Sequence, residues 1–322
     1  MKKVLKEILK KLKLYDSTKK LIMKRKESKR LTSKYTFESR MKGNEKVCFI
    51  LAGYKDFCYD IVFGRIKKFV PKDVEVCILS SGKYSEELSN IAKENDWSYL
   101  STKRNNVCLI QNVANSIYKD AKYIYKIDED IFITKNFFNT LFKTYESCEQ
   151  EGDYNVGLVA PMIPINGFSH VLILDRFNLR EKFEKKFEKI KYAAGPDRMI
   201  ENNPEVAKFF WGEDKIVPNI DEIDNIVSKD PFAYVACPIR FSIGAIMYSR
   251  KLWSDIGMFP VGSGADMGND EIYLCFQAMK NSKGIIISKN TAVGHLSFGK
   301  QNKTMEKYFK DNKKVFDIHN VK

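Results

Sequence analysis

The chain has 322 residues, 44% of them hydrophobic, with a formal net charge of +14. That apolar content excludes a disordered chain and is enough for one large α/β core or two small ones. The charge suggests a nucleic-acid binder only until it is located: residues 1–34 hold fourteen Lys/Arg against Glu7, Asp16 and Glu27, so +11 belongs to an N-terminal arm and the other 288 residues carry +3.

In the arm, taken as residues 1–44, Leu5, Ile8, Leu9 and Leu12 recur at helical spacing among Lys2, Lys3, Lys6, Lys10, Lys11 and Lys13. A basic amphipathic helix of this kind either lies in the interface of an anionic membrane or docks its stripe on the domain or a second subunit. No nucleic-acid partner is expected, because Tyr15 is the sole aromatic of residues 1–34 that could stack on a base.

The folded domain is expected over residues 45–300. Val47–Ala52 reads as a first strand, followed by Gly53-Tyr54 and a helical pattern from Tyr59 to Phe69 that stops at Pro71. Val74–Leu79 is a second strand closed by Ser80-Ser81-Gly82, then a helix over Ser85–Asn95, a short strand at Ser98–Ser101 and a helix over Val107–Tyr118. Strands alternating with helices imply a parallel sheet with crossover connections, whose ligands bind at the carboxyl ends of the strands.

The next segment, Tyr123 to Ile133, is a β-type apolar run interrupted by Asp128-Glu129-Asp130. Burying that much negative charge requires a cation or an opening to water. If the segment stays extended, Asp128 and Asp130 point the same way and offer two oxygens to a hard divalent ion, Mg²⁺ or Mn²⁺. A plain acidic strand end is the alternative for an isolated Asp-X-Asp.

Beyond it, Asn136–Cys148 reads as a helix, Val156–Ile165 as a strand, Leu179–Tyr192 as an unusually charged helix, and Phe232–Cys237 and Arg240–Tyr248 as further apolar segments. The Gly/acid cluster 262–271 feeds a helix through Ala278, Ile285–Ser288 is a late strand, and Ala292-Val293-Gly294-His295 follows it. The tail, residues 301–322, carries a helical pattern from Thr304 to His319. Seven scattered cysteines, several inside apolar runs, look like reduced core residues rather than a disulfide framework. With no membrane-spanning run and no secretory signal, a cytoplasmic protein is expected, one that the arm could hold at the inner face of the cell membrane.

The order of these parts, over residues 46 to about 299, resembles metal-dependent glycosyltransferases of the GT-A fold, a Rossmann-like, mostly parallel sheet flanked by helices. It is most similar to the large inverting family of bacterial surface-polysaccharide enzymes, with similarity to the polypeptide N-acetylgalactosaminyltransferases. The residues that carry it are Lys126-Ile127-Asp128-Glu129-Asp130, Phe241 to Met247 with Trp253 to Phe259, Asn269-Asp270-Glu271, and Val293-Gly294-His295. The resemblance implies a donor half at 45–135 and an acceptor half at 136–300, with a nucleotide sugar as donor, UDP-linked by default. It further implies metal ligands at Asp128, Asp130 and His295 and a general base at Glu271 or its neighbour Asp270. Donor contacts would come from Ala52, Gly53, Tyr54, Ser80, Ser81, Arg104, Asn105, Asn112, Asp128 and Glu129. The chain departs from the family in having Glu271 where an Asp base is usual, and Ser80-Ser81-Gly82 where an acidic residue is usual. Two other readings are a sugar-phosphate nucleotidyltransferase and a non-catalytic membrane or RNA adaptor. The first needs a phosphate loop after the first strand, of which Leu51-Ala52-Gly53-Tyr54-Lys55 is a poor version.

Overall fold

The computed structural model describes residues 31–195 and 198–319. The amphipathic helix expected from Leu5 to Leu12 lies outside them. Eleven strands are present among the described residues: β1 (Tyr35–Glu38), β2 (Lys46–Leu51), β3 (Val74–Ser81), β4 (Ser98–Thr102), β5 (Tyr123–Asp128), β6 (Ile131–Phe132), β7 (Val156–Met162), β8 (Tyr234–Ala236), β9 (Ala245–Ser249), β10 (Gly284–Ala292) and β11 (Gly294–His295). Nine form one sheet in the order β1-β4-β3-β2-β5-β9-β7-β10-β8, and β6 pairs with β11 in a separate ribbon. Within the large sheet β2, β3, β4, β5, β7 and β10 run one way, while β1, β8 and β9 oppose them. The class is α/β, with a mostly parallel sheet flanked by helices.

The apolar runs explain this layout. β2 and β3 are buried almost throughout, as strands covered by helices on both faces must be. The crossovers are the helices Tyr59–Phe69, Glu86–Glu94 and Val107–Ile117. Ser85 and Asn106 cap the second and third by accepting from Leu88 N–H and Leu109 N–H. From β2 the chain steps outward to β3 and β4, then returns to pair β5 on β2's other side. That reversal opens a crevice between the carboxyl ends of β2 and β5, where open α/β sheets hold ligands.

Several boundaries differ from the sequence reading for identifiable reasons. Tyr35–Glu38, assigned to the arm, is an edge strand paired with β4, and its Phe37 meets Tyr118 edge-on at 6.3 Å. The acidic strand is not continuous: it ends at Asp128, turns at Glu129-Asp130 and resumes as β6. Asp128 and Asp130 therefore do not share one strand face. The turn is fixed by long-range bonds, Asp128 N–H to Gly244 O at 2.8 Å and Glu129 N–H to Leu51 O at 2.9 Å. The charged helix is confined to Arg180–Lys186, and residues 193–231, to which the sequence reading assigned no element, contain helices at Pro204–Phe210 and Ile220–Val227.

The tail helix, Asn302–Asp311, packs Met305, Tyr308 and Phe309 inward, and Phe316 beyond it packs against Trp211, centroids 4.4 Å apart and rings tilted by 49°. Arg65, fully buried, clamps this region: it pairs with both Asp221 oxygens at 2.8 and 3.0 Å and donates to the carbonyls of Ile133, Phe316 and Asp317. All seven cysteines are buried, and none of them is in a disulfide. Among the described residues no helix is long and apolar enough to cross a membrane.

Candidate active site

The crevice between β2 and β5 holds a cavity of about 400 Å³. Its walls include Ala52, Tyr54 and Lys55 after β2, the Asp128–Asp130 turn after β5, Asp270 and Glu271 at the start of the Asn269–Lys280 helix, and His295 on β11. The β6–β11 ribbon, in which His295 opposes Ile131, brings the late imidazole beside Asp130.

Each aspartate has its own cation. Lys126 Nζ is 2.6 Å from Asp128 Oδ1 and donates to Ile243 O at 2.9 Å. Asp128 meets solvent through the cavity with 34% of its side chain and is enclosed on its other sides. That enclosure pushes its carboxyl up to about 6, with Asp130 and Asp270 adding to the rise and Lys126 opposing it. Asp130 is buried, which alone would raise it, but Lys55 Nζ at 2.5 Å and His295 Nε2 at 3.2 Å, both on Oδ2, hold it well below the usual carboxylate range. Lys55 itself is raised: burial opposes its charge, and Asp130 and Glu129 outweigh burial.

For a divalent cation, the carboxylate of Asp130 and the imidazole of His295 supply an oxygen and a nitrogen at one spot. His295 Nδ1 is buried without a hydrogen-bond partner. The ring therefore has unused donor capacity, and it is braced by Phe298 at 4.4 Å. Among the described residues no group of three or more His, Cys, Asp or Glu side chains is gathered to hold a metal. The donor chemistry fits a cation held by Asp130 and His295; Asp128, turned to Lys126, does not complete a set of three.

Glu271 occupies another part of the cavity wall. Burial, with Asp270 and Glu201 nearby, raises its carboxyl to about 7 against the pull of Arg240 and Lys126. Arg240 Nε lies 2.9 Å from Glu271 Oε1, an ion pair whose angle does not make a hydrogen bond. Asp270 accepts from Gln111 Nε2 at 2.9 Å and is thereby held toward the Val107–Ile117 helix. Glu271 thus sits in an environment suited to exchanging a proton near neutral pH.

Glu129 uses its carboxylate inward, accepting from Gly53 N–H at 2.7 Å, Tyr54 N–H at 3.0 Å and Tyr59 O–H at 3.0 Å. The Gly53 and Tyr54 amides are thus committed to Glu129, which leaves no phosphate cradle of the nucleotidyltransferase type after β2. Tyr54 and Asn105 stand at the cavity, joined by a 3.1 Å hydrogen bond. Ala52 and Ser81 also line it, Ser81 accepting from Asn106 N–H at 2.7 Å. Ser80 is fully buried and donates to Lys83 O. Arg104 holds the 262–268 loop through Gly262 O. Asn112 is not at the cavity: it is a core amide that accepts from Trp253 Nε1 and Phe259 N–H, both at 2.9 Å. Its amide oxygen ties the 253–259 segment to the Val107–Ile117 helix. Lys55 and Arg240 were not singled out from sequence. Lys55 had one local signal, its place just after the first strand; Arg240 had none.

No protein-family model and no curated protein sequence matches the chain. Among solved structures it is similar to GalNAc-T7 with UDP, GalNAc and Mn²⁺, at 9% identity over 81% of this chain and 45% of that one, TM-score 0.46. TarS 1–349 of S. aureus is 14% identical over 78% of this chain and 60% of that one, TM-score 0.44. Mannosyltransferase PcManGT from Pyrobaculum calidifontis, in complex with GDP-Man and Mn²⁺, is 13% identical over 85% of this chain and 63% of that one, TM-score 0.45. The chain thus spans less than two thirds of each of these three.

Proposed function

We propose that the chain is a glycosyltransferase that moves a hexosyl or N-acetylhexosaminyl group from a nucleotide sugar, UDP-linked by default, to a glycan or lipid-linked acceptor of the bacterial surface. The observation that carries this reading is one cavity walled by Lys55, Asp128, Asp130 and His295, which suit a metal-bound diphosphate, and by Glu271, whose carboxyl sits near 7. The basic arm is read as keeping the enzyme at an anionic membrane surface, close to that acceptor.

Asp130 and His295 would hold Mn²⁺ or Mg²⁺, which supplies Lewis-acid neutralisation of the leaving diphosphate. Lys55, already aimed at Asp130, is positioned to add a second positive charge there. Glu271 takes the proton of the acceptor hydroxyl as its oxygen bonds the anomeric carbon; the bond from that carbon to the diphosphate breaks, and its electron pair leaves with the diphosphate. A single displacement assisted by one base inverts the anomeric centre, and inversion is the stereochemistry proposed. Asp270, tied to Gln111, fixes the helix start that presents Glu271.

A thermal-shift screen of UDP- and GDP-sugars, each with and without Mn²⁺, tests the reading. One nucleotide sugar is expected to raise Tm beyond its bare nucleotide, and only with metal. A chain that no nucleotide sugar stabilises would defeat the proposal.

A further inference from the structure

Lys126 stands inside β5, opposite Phe49 of β2 and Ile246 of β9, and is 2% exposed. A lysine is almost never enclosed to that degree without a counter-charge, because its ammonium loses its hydration there. Residues i and i+2 of a strand share a face, so Lys126 and Asp128, the last residue of β5, point the same way and form their 2.6 Å ion pair. Two apolar side chains would fill this place without the cost of enclosing charge. The pair is explained instead by what it offers the cavity, which both residues line.

An ammonium has three N–H groups. Among the described residues two of them have acceptors, Asp128 Oδ1 and Ile243 O, and the third is left for a ligand. Asp128 is in the matching state: Lys126 takes Oδ1, and the carboxylate meets the cavity with 34% of its side chain. One donor and one acceptor thus stand side by side. Their place in the cavity is between two parts of the proposed reaction. The Asp130 end begins two residues on, and Glu271 is near enough for Lys126 to pull its carboxyl down. What joins a leaving diphosphate to the base that serves the anomeric carbon is the transferred sugar. The charge of the cavity selects further: two lysines, Lys55 and Lys126, line it against five carboxylates, so a sugar that carries its own carboxylate is repelled.

We propose that Lys126 is a specificity-determining residue that reads the transferred sugar: its ammonium donates to one ring hydroxyl while Asp128 accepts from the neighbouring one, which restricts the donor to a neutral sugar with adjacent free hydroxyls. The inference rests on the transferase reading and names the donor class of that same site. A site built to bond a hydroxyl rejects an analogue that lacks it, because its own enclosed donor is then left unpaired.

The test is calorimetric titration of the full chain with Mn²⁺, using UDP, UDP-glucose, UDP-galactose, their N-acetylated forms, GDP and GDP-mannose, with UDP-glucuronate as the charged sugar. In wild type one neutral sugar is expected to bind at least about tenfold tighter than its bare nucleotide, and UDP-glucuronate no tighter than UDP. Lys126→Met is expected to lose most of the sugar's gain while holding the bare nucleotide within about twofold of wild type. Among single-deoxy analogues of that sugar, one is expected to bind wild type about tenfold more weakly than the parent and Lys126→Met as well as the parent, a non-additivity that a purely structural lysine would not give. A Lys126→Met chain that keeps the whole gain would overturn the proposal. So would wild type that binds every deoxy analogue, or UDP-glucuronate, as tightly as the neutral sugar, and these arms hold even if the variant fails to fold. An equal loss on bare UDP in Lys126→Met, absent with 2′-deoxy-UDP, would give the pair to the ribose and overturn it as well. Wild type that binds no nucleotide sugar tighter than its nucleotide would overturn the transferase reading together with this inference, whereas the other outcomes overturn this inference alone.

Discussion

Lys55 Nζ lies 2.5 Å from Asp130 Oδ2, joining the loops after β2 and β5 across the crevice. The ammonium stands where a cation bound to Asp130 and His295 would add its charge, so the two compete for one oxygen in the absence of a diphosphate. Lys55→Met removes the competitor and keeps most of the stem. Mn²⁺ affinity measured calorimetrically without nucleotide should then rise by about tenfold, or about 1.4 kcal/mol. Unchanged or weaker Mn²⁺ binding would mean that Lys55 supports the metal site rather than competing with it.

Glu271 sets a pH dependence. Its carboxyl, raised to about 7, is protonated and useless as a base at pH 5 and ionised at pH 8, so turnover should climb with pH through about 7 and then level off. Arg240 holds that value down, so Arg240→Ala should move the rising limb to higher pH. Glu271→Gln should cut turnover by about two orders of magnitude or more while leaving donor affinity intact. A rate profile flat from pH 5.5 to 8.5 in wild type would remove Glu271 from the role of base.

The same shift has a stability consequence of definite sign. Between the ordinary value of 4.5 and about 7 the folded chain keeps a proton on Glu271 that the unfolded chain releases. Its contribution to stability is therefore present at low pH and lost as pH rises through about 7. Glu271→Gln, which never ionises, should flatten that part of the stability profile in urea titrations run across the range.

The Arg65–Asp221 pair predicts a large structural penalty. Arg65→Met leaves the buried Asp221 carboxylate without its counter-charge and frees the carbonyls of Ile133, Phe316 and Asp317, and should destabilise by about 3–5 kcal/mol in denaturant unfolding. The double variant Arg65→Met/Asp221→Leu should recover part of the loss, because it leaves no isolated charge. No recovery would assign the clamp to the carbonyl bonds alone.

What the sequence makes legible follows the range of the forces involved. β2, β3 and β5 announce themselves because buried parallel strands need unbroken apolar runs. The Pro204–Phe210 and Ile220–Val227 helices carried readable caps in Asn203 and Asn219, but their apolar stripes were too short to stand out from the polar background. The turn at Glu129 was illegible. It depends on Leu51 O, Gly244 O and the amides of Gly53 and Tyr54, all remote in sequence, and nothing local forbids a strand through Asp130. Asn112 misled for the opposite reason: its polarity suggested a ligand contact, while its partners are the Trp253 indole and the Phe259 backbone. The acidic residues and the late imidazole could be named individually, but their individual ion pairs with Lys126 and Lys55 required coordinates.

The most direct test of the central claim, that Asp130 and His295 hold a divalent cation that grips a diphosphate, is calorimetric titration of UDP into the full chain with and without Mn²⁺. Wild type should bind UDP at least about tenfold tighter with Mn²⁺, EDTA should abolish the gain, and Asp130→Asn should show none. UDP affinity indifferent to Mn²⁺ in wild type, or a metal-dependent gain that survives in Asp130→Asn, would contradict it.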